Sequence, residues 1–128
     1  METKTVLVID DEDFIATLIS RALTKEGYSV IVTSDYISSI KVIDNSQIDL
    51  VVSDVMLPFT GGMDILEYIK SNNKLSHIPV ILVTGMDKSI LFNSKVKAES
   101  ILTKPFDMAE LIALVNSYLH PLSSKANT

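Results

Sequence analysis

The chain has 128 residues, a net charge of −5 and no cysteine. Its length suits one domain with a single core, and its charge argues against a sequence-independent nucleic-acid binder, which needs basic residues to displace counterions from the phosphate backbone. The lack of cysteine excludes disulfides, thiolate nucleophiles and the usual zinc sites.

Five short apolar segments are predicted to be strands. They are aliphatic, largely β-branched and bounded by charged or turn residues, as is typical of parallel strands covered on both faces. In chain order they are Thr5–Ile9, Ser29–Thr33, Leu50–Ser53, Val80–Thr84 and the weaker Ser100–Leu102. The second follows Gly27 and Tyr28, a predicted helix stop, and is interpreted as an edge strand.

Between the strands, apolar residues recur at helical spacing, which predicts five amphipathic helices. Four of the apolar stripes begin at Phe14, Ile37, Ile65 and Met108, and a less regular one lies in Asp87–Val96. Alternating strands and helices predict an α/β fold, with a parallel five-stranded sheet between two helical layers in a three-layer α/β/α sandwich.

Residues 1–120 are predicted to form this domain, and residues 121–128 a polar C-terminal tail. The apolar run that ends at Ile9 is too short for a signal-peptide core or a membrane span. We therefore expect a cytoplasmic protein with no membrane partner. We also expect it to be a monomer or a weak dimer.

Polar residues follow four of the predicted strands. The first strand ends in Asp10 and Asp11, the third in Asp54, the fourth in Thr84, and Lys104 follows the fifth. Because the carboxyl ends of parallel strands converge on one crevice, these side chains are expected to meet there.

Three crowded carboxylates repel one another unless they take up protons or bind a cation. Magnesium suits such a site, since it prefers oxygen ligands and is often held by one or two carboxylates plus phosphate oxygens. Asp11 and Asp54 are the better candidates for direct ligands, with Asp10 acting through water. Asp54 could also attack phosphorus, with Lys104 and the Thr84 hydroxyl contacting the phosphoryl oxygens.

The chain resembles the receiver domain of bacterial response regulators, of the single-domain chemotaxis type, from about Lys4 to about Leu119. The resemblance is carried by Val6–Glu12, Leu50–Pro58, Gly62, Ile81–Gly85 and Leu102–Phe106. It implies a flavodoxin-like strand order, 2-1-3-4-5. It also implies a two-component phosphorelay protein rather than an enzyme, with intrinsic phosphotransfer and autodephosphorylation chemistry only.

By the same resemblance, Asp54 is the phosphoacceptor, Asp10 and Asp11 are the acidic pair, and Met56 supplies a backbone carbonyl to Mg²⁺. Thr84 is the switch hydroxyl and Lys104 the phosphate partner. The implied partners are a histidine kinase or histidine phosphotransfer protein and a downstream effector protein or attached effector domain. The family also implies a cis peptide bond before Pro105.

Two features depart from the family pattern. Ile101 stands where the family usually has Tyr or Phe, the aromatic switch that turns inward on phosphorylation. Met56 and Met86 stand two residues after Asp54 and Thr84, where polar side chains often influence water attack. We therefore expect slow autodephosphorylation, because apolar side chains shield the phosphoryl group and orient no water.

The same residues allow other interpretations. Taken alone, Asp10–Asp13 is more often a helix N-terminal acidic turn than a metal site. A phosphatase with an aspartate nucleophile would carry a second acid where Met56 stands. A flavodoxin-like nucleotide carrier would have a Ser, Thr and Gly-rich first loop instead of an acidic one. A degenerate receiver that acts as a protein-interaction module without phosphorylation stays open because of Ile101.

Overall fold

The protein is described by a computed structural model that covers residues 3–56, 61–85 and 97–120. Its centre is a parallel five-stranded sheet in the order β2-β1-β3-β4-β5, which confirms the predicted strand order. The strands are β1 (Thr5–Ile9), β2 (Ser29–Thr33), β3 (Leu50–Asp54), β4 (Val80–Thr84) and β5 (Ser100–Thr103).

Four helices occur among the described residues: α1 (Asp13–Lys25), α2 (Tyr36–Asn45), α3 (Gly62–Ser71) and α4 (Met108–Leu119). The helix predicted within Asp87–Val96 and the tail at 121–128 lie outside the described residues. Within the described ranges, none of the helices has both the length and the apolar character that spanning a bilayer requires.

The sheet separates two hydrophobic clusters, because successive side chains of a strand point to opposite faces. On one face, Leu7, Val51 and Leu82 pack with buried residues of α2 and α3. On the other, Val8 and Ile81 pack with buried residues of α1 and α4. The predicted three-layer sandwich is thereby confirmed.

Local signals set the helix ends. Gly27 follows α1 with a φ of 100°, a left-handed conformation that glycine adopts without a Cβ penalty. The Asp35 side chain accepts a hydrogen bond from the Ser38 N–H at 2.7 Å, which caps the first turn of α2. Gly27 thus ends α1 shortly before β2 begins, and Asp35 starts α2 shortly after β2 ends.

Gly62 allows α3 to start directly against the end of β3. Its N–H donates to the Val55 carbonyl at 2.8 Å. A Cβ at this position would lie 2.2 Å from the backbone oxygen of Asp54, much closer than atoms can approach. The helix therefore holds the backbone of Asp54 in place, and only glycine fits this contact.

Replacing Gly62 with alanine is expected to destabilise the protein by about 2 kcal/mol or more, because the clash is with backbone that must shift. Gly85→Ala is the matched control, since a Cβ there meets no atom within 4 Å; its effect should stay within about 0.5 kcal/mol. Urea denaturation followed by circular dichroism measures both values. Equal stability of the two variants would show that the contact between α3 and Asp54 is loose.

Candidate functional site

The strand ends bring Asp10, Asp54 and Lys104 together at the carboxyl edge of the sheet. Asp10 follows β1, Asp54 ends β3, and Lys104 follows β5. The parallel register sets Asp54 beside Val83 of β4, and the Lys104 N–H donates to the Thr84 carbonyl at 2.7 Å. Residues far apart in the chain thus become neighbours through strand pairing.

Lys104 supplies positive charge to this site. Its Nζ lies 3.0 Å from Asp54 Oδ2, 3.5 Å from Glu12 Oε1 and 4.0 Å from Asp10 Oδ2. Asp10 and Asp54 are buried, whereas Glu12 is largely exposed. The ammonium group therefore bridges two buried carboxylates and one at the rim.

Two aspartates are oriented in the same way by the backbone that follows them. Asp10 Oδ1 accepts the N–H of Glu12 at 2.9 Å, and Asp54 Oδ1 accepts the N–H of Met56 at 2.9 Å. In each case the other oxygen, Oδ2, is the one closest to Lys104. Both carboxylates are thus held in place before any ligand arrives.

The electrostatics of the site follow from burial and from crowding of like charges. Burial is the largest influence on Asp10 and raises its pKa; the Glu12 N–H and Lys104 oppose this, while the negative charges of Asp54 and Glu12 add to it. Burial alone lowers the pKa of Lys104, but its hydrogen bond to Asp54 and the nearby carboxylates outweigh burial and raise that pKa. Lys104 is therefore charged at neutral pH.

Three carboxylates form a group that could hold a metal ion. Oxygen atoms of Asp10, Glu12 and Asp54 all lie within 4.8 Å of one another. Carboxylate oxygens are the ligands that Mg²⁺ prefers, so the chemistry of this donor set fits that ion. Asp11, predicted as a direct ligand, is exposed and is not in this group, so its role stays a prediction.

Glu12 belongs to the carboxylate group, although the sequence did not predict it as a site residue. It belongs to the acidic run Asp10–Asp13 and stands at the N-cap of α1. The run itself was the available signal, but four consecutive acids do not reveal which of them point at the sheet edge. The turn that brings the Glu12 N–H onto Asp10 decides this.

The remaining predicted residues lie close to the same edge. Thr84 is fully buried at the end of β4, and Met56 exposes its side chain beside Asp54. The expected cis peptide bond between Lys104 and Pro105 is present. Ile101 is half-buried in β5 and packs against the core on the α2 and α3 face.

Residues 6–116 match the family model of the response regulator receiver domain. Curated relatives include the regulatory protein VanR of Enterococcus faecium, 35% identical over 116 residues that cover 89% of this chain and 49% of that protein. Another is the alkaline phosphatase synthesis transcriptional regulatory protein PhoP of Bacillus subtilis, 32% identical over 118 residues that cover 91% and 48%. The chain spans about half the length of the curated relatives it matches.

Solved structures of response regulators have a similar fold. The receiver domain of the Francisella response regulator 1452 is 29% identical, with a TM-score of 0.80 and coverage of 89% of this chain and 94% of that one. The chemotaxis response regulator CheY4 of Vibrio cholerae, 22% identical, agrees in fold with a TM-score of 0.84 and coverage of 91% and 99%. Because the family model extends from β1 into α4, the chain belongs to the response regulator receiver domain family.

Proposed function

We propose that this domain accepts a phosphoryl group on Asp54, in a reaction that depends on Mg²⁺, from a histidine kinase or a histidine phosphotransfer protein. The observation that carries the proposal is the contact of 3.0 Å between Lys104 Nζ and Asp54 Oδ2, inside a group of three carboxylates. An ammonium group in that place can pair with an oxygen of a phosphoryl group that becomes attached to Asp54.

The transfer is a displacement at phosphorus. One carboxylate oxygen of Asp54 forms the new P–O bond while the P–N bond of the donor phosphohistidine breaks, and its electron pair stays on the imidazole ring. The Met56 N–H holds the acceptor carboxylate in orientation. Lys104, kept charged by its carboxylate neighbours, stabilises negative charge on the transferred group.

The proposed Mg²⁺ ligands are Asp10, Asp11, Asp54 and the Met56 carbonyl, and the place of Glu12 in the acidic group makes it a further candidate. When bound, the ion supplies positive charge that neutralises the phosphoryl oxygens during transfer. The domain is proposed to have only this phosphotransfer chemistry and its own dephosphorylation. Its signal would pass, through Thr84 and its loop, to a downstream effector protein or an attached effector domain.

Incubation with acetyl phosphate and Mg²⁺ should add one phosphoryl group to Asp54, detected as an acid-stable, alkali-labile adduct by intact mass and tryptic mapping. Chelation of Mg²⁺ and the Asp54→Asn substitution should each abolish the adduct. Asp44→Asn, which changes an exposed carboxylate that accepts the Tyr68 hydroxyl on the surface, should leave it intact.

The second candidate function is a phosphorylation-independent interaction module. One observation favours it: Ile101, which stands where the family usually has the aromatic switch, is aliphatic and packs against the core. The same assay separates the two candidates. If the wild-type protein stays unmodified under all conditions, Asp54 is not a phosphoacceptor. The interaction module would then be the remaining candidate function.

Asp10→Asn is expected to stabilise the metal-free protein at neutral pH. The pKa of Asp10 is raised in the folded protein above its usual value of 3.8. Asp10 therefore contributes stability at pH values below 3.8, where it is protonated. That contribution is lost as the pH rises through the folded-state pKa, because the buried carboxylate then carries a charge. The substitution removes this cost yet keeps an acceptor for the Glu12 N–H, so Tm should rise by about 2–5 °C at pH 7 in EDTA.

Mg²⁺ should then raise the Tm of the wild type and have much less effect on Asp10→Asn, because binding to the folded state alone stabilises it. Thermal denaturation followed by circular dichroism measures both effects, with Asp44→Asn as the control. A lower Tm for Asp10→Asn in EDTA would mean that attraction to Lys104 exceeds the cost of burial and repulsion.

Met56→Ala should shorten the lifetime of the aspartyl phosphate several-fold, because it removes apolar cover beside Asp54. Release of inorganic phosphate from the purified phosphoprotein measures this. Ile37→Ala, at an equally exposed aliphatic residue on α2, is the control. An unchanged lifetime would count against shielding by Met56; its predicted counterpart, Met86, lies outside the described residues.

A further inference from the structure

The outer edge of β2 presents backbone hydrogen-bonding groups that do not face β1. β2 is the terminal strand of the sheet and pairs with β1. The Ser29 N–H donates to the Lys4 carbonyl at 2.9 Å, and the Thr33 carbonyl accepts the Asp10 N–H at 3.1 Å. Since backbone polar groups alternate in direction along a strand, Val30 and Val32 point their N–H and C=O groups away from the sheet.

Edge strands of soluble proteins are usually protected by a charge, a proline or a bulge. Ser29–Thr33 contains no charged residue and no proline, and it pairs with β1 in continuous register without a bulge. Val32 is also one of the large aliphatic side chains that stay exposed, at 45%. Both its backbone and its side chain are thus suited to contact another strand.

The sequence of β2 is close to a palindrome, Ser-Val-Ile-Val-Thr. A two-fold axis through Ile31, perpendicular to the sheet, would set Val30 against Val32 of the second copy and Ser29 against Thr33. The outward N–H and C=O groups of the two valines would then form about four hydrogen bonds between the copies.

Side chains would match as well as the backbone. Val30 packs on the α1 and α4 face and Ile31 on the α2 and α3 face. Because the axis is perpendicular to the sheet, the α1 and α4 faces of the two copies would lie on the same side of the joined sheet. Valine would therefore meet valine on that side, and isoleucine would meet isoleucine on the other. Such aliphatic cross-strand pairs stabilise sheets.

We propose that β2 pairs antiparallel with β2 of a second copy of this chain, centred on Ile31, and joins two sheets into one. The contact is self-complementary, as a two-fold dimer requires. Antiparallel pairing points the carboxyl ends of the two sheets in opposite directions, so both acidic sites stay accessible. The proposed contact therefore leaves Asp54 open to phosphorylation in both copies.

Sedimentation velocity from about 10 µM to about 1 mM measures the association, which a short contact makes weak. Val32→Lys should raise the dimer dissociation constant about tenfold or more, since it places like charges on the joined edge. Ile37→Lys is the matched control at another exposed aliphatic residue and should change it little. A wild type that stays monomeric at about 1 mM, or equal effects of both variants, would overturn the proposal.

Cysteine cross-linking tests the register, and the chain has no other cysteine to interfere. The axis sets the two Ile31 Cα atoms about 4.5 Å apart, within the range of a disulfide. Ile31→Cys should form covalent dimers on mild oxidation, whereas Ser29→Cys should not, because those two positions would lie roughly 14 Å apart. Circular dichroism checks that both variants are folded, and efficient cross-linking through Ser29→Cys alone would overturn the register.

Discussion

The candidate site depends on one ammonium group held among three carboxylates. Lys104 contacts Asp54 most closely and also lies near Asp10 and Glu12, yet its single positive charge cannot balance three negative ones. Burial of Asp10 and Asp54 strengthens these interactions, since water screens them less. Among the residues that the structure describes, the surplus negative charge makes the edge of the sheet a place for a cation, and Lys104 gives it a partner for an anion.

The backbone supplies the rigidity that this arrangement needs. Asp10 and Asp54 each bind the N–H two residues ahead through Oδ1, so that Oδ2 is turned toward Lys104. Gly62 brings α3 against the Asp54 carbonyl, which fixes the backbone from which the Asp54 side chain projects. The charged groups are therefore positioned in advance, as the proposed phosphoryl transfer would require.

β5, which precedes Lys104, is secured at both ends. Where the strand begins, Glu99 accepts the Val80 N–H at 2.7 Å and pairs with Lys70 at 2.8 Å. Where it ends, the Lys104 N–H binds the Thr84 carbonyl. Ile101 lies between these anchors and packs in the core with aliphatic neighbours. A change at the site can reach this strand through Thr84 and Lys104, and the response of Ile101 would be a shift in packing rather than the turning of an aromatic ring.

The sequence by itself determined the fold and most of the site. Continuous β-branched runs alternating with helical stripes require a parallel sheet, and parallel strands place Asp10, Asp54, Thr84 and Lys104 at one edge. Only the tertiary structure put Glu12 rather than Asp11 in the carboxylate group, because consecutive acids look alike until a turn orients them. It alone also showed which backbone groups of β2 point outward, since that direction depends on hydrogen bonds to a neighbouring strand.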